Sequence, residues 1–516
     1  MSPALPLFVV STKANTADIS KRVKAGELQR VVQGLYTRDM RPANKLSTLV
    51  GQHIWEIVGL LCPGALIVDR TALEARPADD GSIFVVSGRT SDLAIPGFRI
   101  RTRKGVCTAQ DLPFMGGNLR MSSAGRIVLD NMVPSRARSG PSRTAGMTAI
   151  EEYLERQVRL HGDSALNRIR DEAKSVAVLI GREAEMDKLD RLCGALLGTQ
   201  PSPAGVTAPT AVARIDGAPY DDDRVAMFER LWSKLHSEHF PMLSEPTTAE
   251  ARANVAFFES YFSNFIEGTE FEVSEAENIV FGNQIPPKRP QDAHDILGTW
   301  RVASDEGELA AILDTFESFE AALKRRHSAI MEGRPEKAPG IYKEIANRAG
   351  TYEFVAPDLV RGTLKRGYEF LRALADPFAR AAFAMFVVSE VHPFLDGNGR
   401  VARLMMNGEL ARSRQARIII PTIMRNDYLD GLRGLSANGN AESYLRILAV
   451  CRNWSAPMPW DSFPLTKAVM TRTNAYLRHQ EAVSENKRLT VPTPSLISAI
   501  EILDVQASAS RPSTFS

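Results

Sequence analysis

Two helix-forming stretches on either side of a short polar loop near residue 395 constrain this chain more than any other feature. Ala381 to Val391 reads as an apolar helix, and a second helix starts near Arg400 with Leu404, Met405 and Leu410 on its inner face. Between them lies His392-Pro393-Phe394-Leu395-Asp396-Gly397-Asn398-Gly399. Gly397, Asn398 and Gly399 at a helix N-terminus offer successive backbone N–H groups and the positive end of the helix dipole, an anion nest suited to a diphosphate. Asp396 is a hard oxygen ligand at the mouth of that loop, able to hold Mg²⁺ against phosphate oxygens. Arg400 presents a planar fork to phosphate where lysine would offer a point charge. His392 ends the first helix, where an imidazole can take a proton from an attacking hydroxyl at neutral pH. Phe394 is expected to turn inward and anchor the loop.

Residues His392 to Arg400 resemble the Fic signature HPFx[D/E]GN[G/K]R at every specified position. Eight specified positions at ~5% usage each match by chance with probability below about 10⁻⁶, so the match is not accidental. The resemblance spans roughly residues 220–455. It implies an all-α domain that transfers a nucleoside monophosphate, usually AMP from ATP with Mg²⁺, to a hydroxyl of a target protein. Carried over by position, it makes His392 the general base, Asp396 the metal ligand, and Gly397, Asn398 and Gly399 the anion hole. Arg400 takes the β-phosphate, Arg403 the γ-phosphate, and Asn407 a place that often reaches the base. Domains of this family often dimerise, so a homodimer is an expectation.

Upstream, Ser263-Asn264-Phe265-Ile266-Glu267-Gly268 is similar to the inhibitory-helix signature [S/T]xxxE[G/N] of autoinhibited Fic proteins. In that comparison the carboxylate of Glu267 pairs with Arg403 and removes the cation that should hold the γ-phosphate. Its setting is apolar, with Phe257, Phe258, Tyr261 and Phe262 close by. Gly340-Ile341-Tyr342-Lys343 stands where the family carries a G-x-[F/Y]-R element opening a target-docking flap. Lysine loses the bidentate fork, leaving docking and plain surface as two readings of Tyr342 and Lys343.

The first 45 residues differ in character. Eight basic side chains, including Lys13, Lys21, Arg22, Lys24 and Arg38, face three acidic ones, in a chain whose net charge is only +2. Ser11-Thr12 reads as the cap of a short helix, and Leu28 to Thr37 as two strands turning at Gly34. Helix, hairpin and basic charge together suggest a winged helix-turn-helix that uses those five residues on DNA phosphates. Ala65 to Leu73 and Ser82 to Ser87 look like buried strands or strand-to-helix transitions. This part of the chain resembles the AbiEi-type antitoxin family, which implies DNA binding and autoregulation.

The expected organisation is therefore multidomain: a winged helix over 1–45, an antitoxin-like α/β region over 46–197, and a Pro/Ala/Gly-rich linker over 198–219. A mainly α Fic bundle over 220–455 follows, with its inhibitory helix near 255–270, and then an extension over 456–516 that begins helical and frays. Hydrophobic residues at 44% with 24% charged exclude wholesale disorder, and no apolar run approaches the ~20 residues a bilayer span needs. No basic region precedes the short apolar patch at the N-terminus, so a cytoplasmic protein is expected. The four cysteines show no ligand spacing and are expected to be buried hydrophobes. His236 and His239 have metal-compatible spacing without a third ligand, which favours a surface or capping role. The leading reading is an autoinhibited protein adenylyltransferase. The alternative is a DNA-binding regulator whose Fic domain senses nucleotide or uses another donor.

Overall fold

The computed structural model describes residues 6–137 and 140–509, and of residues 503–509 only the backbone. The chain forms two compact units, divided between Gly217 and Ala218.

In the first unit, strands Phe8–Val10 and Gln29–Val32 flank Leu35–Thr37 in an antiparallel sheet. The hairpin between the last two turns at Gly34, whose φ of +86° suits a residue without Cβ. The helix runs over Thr16–Lys24 and starts later than the sequence suggested. Thr12 donates its N–H to Asn15 Oδ1 (2.7 Å) and accepts from the Thr16 hydroxyl, so a turn forms at Ser11-Thr12 and Asn15 becomes the N-cap. One helix, preceded by a strand, stands before the hairpin among the described residues.

The boundary expected at residue 45 falls inside a core. Phe8, Val31 and Leu35 pack in one cluster with Leu49, Ile57, Ile67, Ile83 and Leu119. Around them lies a six-stranded mixed sheet in the order Leu93–Ile95, Phe98–Arg103, Ser82–Val86, Leu66–Ile67, Leu119–Met121, Leu112–Phe114. Ser82–Val86 pairs parallel to one neighbour and is buried along its whole length, which is why it reads as a continuous apolar run. Under this sheet Arg126 bridges Asp111 (3.1 Å) and Asp130 (3.2 Å), and Arg103 forks onto Asp69 (2.9 and 3.0 Å).

Helices Met147–His161, Asp163–Ile180 and Glu183–Leu196 build a second core on Ala124–Asn131. Of the stretch read as a linker over 198–219, the part from Val206 to Ile215 joins it. Pro209–Ile215 is helical with Pro209 in its first turn, and Ala208 and Ala211 are fully buried. Seven residues are too few to display a helical period, so composition hid the element.

The second unit is a helical bundle. At its centre Pro377–Val391 lies against Asn398–Arg412, with Phe383, Met385, Val388, Met406 and Leu410 fully buried. Asp376 caps the first of these through the Ala379 N–H (2.9 Å), followed by Pro377 in its first turn. The extension from residue 456 is part of this unit. Trp460, Leu465, Val469, Met470 and Ile500 share a core with Val255, Phe257, Phe258 and Phe262 of the helix Ala249–Ile266. Its expected frayed end, 510–516, lies outside the described residues. No helix among the described residues is long and apolar enough to cross a membrane. Cys107 is exposed, the other three cysteines are buried, and none is paired. His236 stacks on Trp232 (4.9 Å).

Candidate functional site

The central helix pair is joined by a loop whose shape comes from two left-handed residues, His392 (φ +52°) and Gly397 (φ +73°). Asn398 laces the loop from inside. Its Oδ1 accepts the Phe394 N–H (2.8 Å) and its Nδ2 donates to the Phe394 carbonyl (2.8 Å). Asn398 therefore serves the cradle through its backbone, and the second helix starts there, two residues before Arg400. Phe394 is fully buried, as expected, and stacks on His327 at 3.7 Å.

His392 stacks on Phe354 at 3.8 Å and places Nδ1 3.2 Å from the Ser389 carbonyl. A carbonyl can only accept, so Nδ1 carries the proton and Nε2 keeps its lone pair. Burial, reinforced by the cation of Lys343, pushes the imidazole down to about 4. At neutral pH His392 is uncharged and can accept a proton.

The first turn of Asn398–Arg412 has no helical carbonyls for its N–H groups. Gly399 lies in that turn, and a Cβ there would sit 2.1 Å from Glu267 Oε1. The Glu267 carboxylate thus rests on the cradle, and the glycine is what lets it approach. Arg403, 4% exposed, donates to it from Nη2 (2.7 Å), to Ser263 Oγ from Nε (2.9 Å), and to the Ser263 carbonyl (2.8 Å). Ser263 and Glu267 occupy one face at the end of the helix Ala249–Ile266, where the dipole disfavours a carboxylate and Arg403 compensates. Gly268, at φ +90°, turns the chain away behind them.

Arg400, 3% exposed, pairs with Asp295 (2.7 Å), a partner that sequence reasoning missed. Arg334 shares its Nε–H between the two oxygens of the same carboxylate (3.0 Å to each). The Nε of Arg400 is buried without a partner. Asp396 is 45% exposed, with Oδ1 accepting the Gly397 N–H (2.7 Å) and Oδ2 3.8 Å from Lys337. Among the described residues no three His, Cys, Asp or Glu gather as a metal cage. Asp396 stands as a single carboxylate at the mouth.

Two further residues complete the surroundings of the loop. Asn407 lies on the same helix, fully buried, and both ends of its amide bond the backbone of Ile418 (2.9 and 3.0 Å). Lys343 is not a surface residue. It is 4% exposed, donates from Nζ to Asn347 Oδ1 (2.6 Å), and gives its N–H to the Pro393 carbonyl (2.9 Å). Burial pulls its ammonium down to about 8. Tyr342 tilts onto Phe394 (5.5 Å). His327, with nothing in the sequence to mark it, is also part of the site: its Nε2 is 2.9 Å from the Asp396 carbonyl and its Nδ1 2.9 Å from the Gly340 N–H.

Residues 317–410 match the model of the Fic/DOC family. "Protein adenylyltransferase fic-1" of Caenorhabditis elegans is 26% identical over 206 residues, 37% of this chain and 39% of that protein. "Protein adenylyltransferase Fic" of Drosophila yakuba is 40% identical over 75 residues, 14% of this chain and 15% of that protein. The chain thus spans well under half the length of the curated relatives it matches. The solved structure "Fic-1 (aa134 - 508) from C. elegans" aligns over 63% of this chain and 88% of that one, at 18% identity and a TM-score of 0.34.

Proposed function

We propose that this chain is a protein adenylyltransferase that moves AMP from ATP to a hydroxyl side chain of a target protein, and that Glu267 restrains it. The observation that carries the reading is one short loop holding an uncharged imidazole with Nε2 free, a glycine cradle at a helix N-terminus, and two buried arginines. Such a loop grips a nucleotide by its phosphates. The first-turn N–H groups and Arg400 bind the β-phosphate region, and Arg403 binds the γ-phosphate once Glu267 has left it. His392 Nε2 takes the proton of the target hydroxyl as its oxygen bonds to the α-phosphorus; the bond to the β-phosphate oxygen breaks and pyrophosphate leaves. Mg²⁺ fits the donor set, because it is held by one or two carboxylates plus substrate phosphates, here Asp396, and supplies neutralisation of charge on those phosphates.

Glu267 opposes this by occupying the cation meant for the γ-phosphate and by covering Gly399. A triphosphate can still bind, but not with its γ-phosphate on Arg403, so the α-phosphorus is misaimed. The test uses Glu267→Gly protein with Mg²⁺ and α-labelled ATP, GTP, UTP or CTP. Labelling from ATP, lost on adding His392→Ala, is the expected result. Labelling that survives His392→Ala removes the reading, and a preference for another nucleotide replaces the donor.

A second reading rests on the exposed basic side chains of Lys13, Lys21, Lys24 and Arg38 around the helix Thr16–Lys24. In it, the first unit is an antitoxin-like DNA-binding module. Arg22 contributes less than its neighbours, being held by Asp18 (2.8 Å) and Glu27 (3.1 Å). A mobility shift on the chain's own promoter, weakening steeply with salt, supports this reading; no shift at low salt removes it.

A further inference from the structure

Resting on the adenylyltransferase reading, we propose that His327 is a positioning residue: its imidazole joins the segment that opens at Gly340 to the backbone of Asp396 and so fixes the mouth of the nucleotide cradle. The Gly340 N–H can only donate and the Asp396 carbonyl can only accept. With both at 2.9 Å, Nδ1 must be the acceptor and Nε2 must carry the proton. One tautomer alone satisfies both bonds. The ring has no freedom to turn away, because it is fully buried and stacks on Phe394 with 3° between the planes.

What the ring connects makes this more than packing. Asp396 carries the carboxylate of the cradle mouth, and its Oδ1 accepts the N–H of Gly397, the left-handed residue from which the second helix departs. On the other side, the segment from Gly340 is sewn to the same loop twice more, by the Lys343 N–H on the Pro393 carbonyl (2.9 Å) and by Asn347 Nδ2 on the Phe394 carbonyl (3.0 Å). Both of those anchor the start of the loop. His327 alone, among the described contacts, ties the segment to the end that holds Asp396. Gly397 is moulded to the same neighbours: a Cβ there would meet Met331 Sδ at 2.7 Å and His327 Nε2 at 3.3 Å. Loosening the carbonyl of Asp396 frees its carboxylate and the Gly397 turn together, without touching His392 or either arginine.

The experiment places His327→Phe, His327→Gln and His327→Asn in the Glu267→Gly protein. Phenylalanine keeps the stack on Phe394 and loses both hydrogen bonds; glutamine restores a donor near the Nε2 position; asparagine restores an acceptor near Nδ1 and lacks the reach to Asp396. The expected result is a fall in kcat of at least tenfold for Phe and Asn, with a higher Mg²⁺ concentration at half-maximal rate, and recovery to within threefold for Gln. A second readout needs no turnover: amide exchange at Gly340 is expected to be at least tenfold faster in Phe than in the parent or in Asn. A kcat and Mg²⁺ dependence equal to those of the Glu267→Gly parent in a folded Phe variant overturns the proposal, as does a folded Gln variant no better than Phe. If the Glu267→Gly parent does not label at all, the adenylyltransferase reading fails; unchanged Gly340 exchange in Phe would then overturn the positioning role separately.

Discussion

Arg126 in the first unit and Arg403 in the second are both almost wholly buried, at 1% and 4% exposure, yet they are held in different ways. Arg126 is bound by Asp111 and Asp130, carboxylates as inaccessible as itself, and by the Val106 carbonyl (2.6 Å). Nothing can replace those partners without opening a core. Arg403 is bound by Ser263 and by Glu267, whose side chain is one-third exposed and sits at a helix end that disfavours it. Arg400 differs again: its partner Asp295 is as inaccessible as those of Arg126, but its own buried Nε has no partner. Burial alone therefore does not describe how an arginine is held: an accessible partner at Arg403 and an unpartnered Nε at Arg400 set these two apart from Arg126.

Substitutions put that contrast to the test. The largest effect is expected at His392: alanine in the Glu267→Gly protein should lower the labelling rate ~10²–10⁴-fold, as loss of a general base does, while leaving nucleotide affinity in titration nearly unchanged. Next is Arg126→Met. It leaves the buried Asp111 without its cation, while Asp130 keeps Arg103 (2.9 Å), and should cost about 3–5 kcal/mol in the denaturant transition of the first unit. Arg403→Met, which keeps most of the buried volume, should cost less than Arg126→Met, because the carboxylate it leaves is free to turn to water, but should weaken triphosphate binding. Equal losses of stability at the two arginines would erase the distinction.

Acid provides a gentler test. His392 and His327 are each pushed down to about 4 by burial, below the ordinary value of 6.5. Between those values the unfolded chain binds more protons than the folded one, so the second unit should lose stability as pH falls from 6.5 towards 4. Labelling by the Glu267→Gly protein should stay level from about pH 6 to 7.5, since the base is already neutral there. A rate that doubles through pH 6.5 would place an unperturbed imidazole at the centre of the reaction. The smallest effect is expected at the N-terminus, where Lys21→Glu with Lys24→Glu should reduce the salt slope of any DNA binding by about two.

What the sequence made legible follows from range. The loop from His392 to Arg400 is local, so the carboxylate, cradle and imidazole could be recognised from their order, and Ser263 with Glu267 from spacing within one helix. The left-handed backbone at His392 leaves no mark in residue type, and neither does the start of the second helix at Asn398. For Asn407, helical period gives a face but not what lies opposite; here that is Ile418. Asp295 and His327 reach the loop from helices far away in sequence, a pairing that no local pattern encodes. In the first unit the Gly34 hairpin and the Ser82–Val86 strand were readable, but a domain boundary at residue 45 was not, because the core that crosses it is made by tertiary contacts.

The central claim is that one displaceable carboxylate separates a restrained cradle from a competent one. The most direct test is the ratio of initial AMP-labelling rates between Glu267→Gly and the unmodified chain at saturating Mg²⁺ and ATP. A ratio of at least tenfold is expected, the equivalent of about 1.4 kcal/mol in the barrier. A ratio near one, from folded proteins whose labelling requires His392, would contradict it.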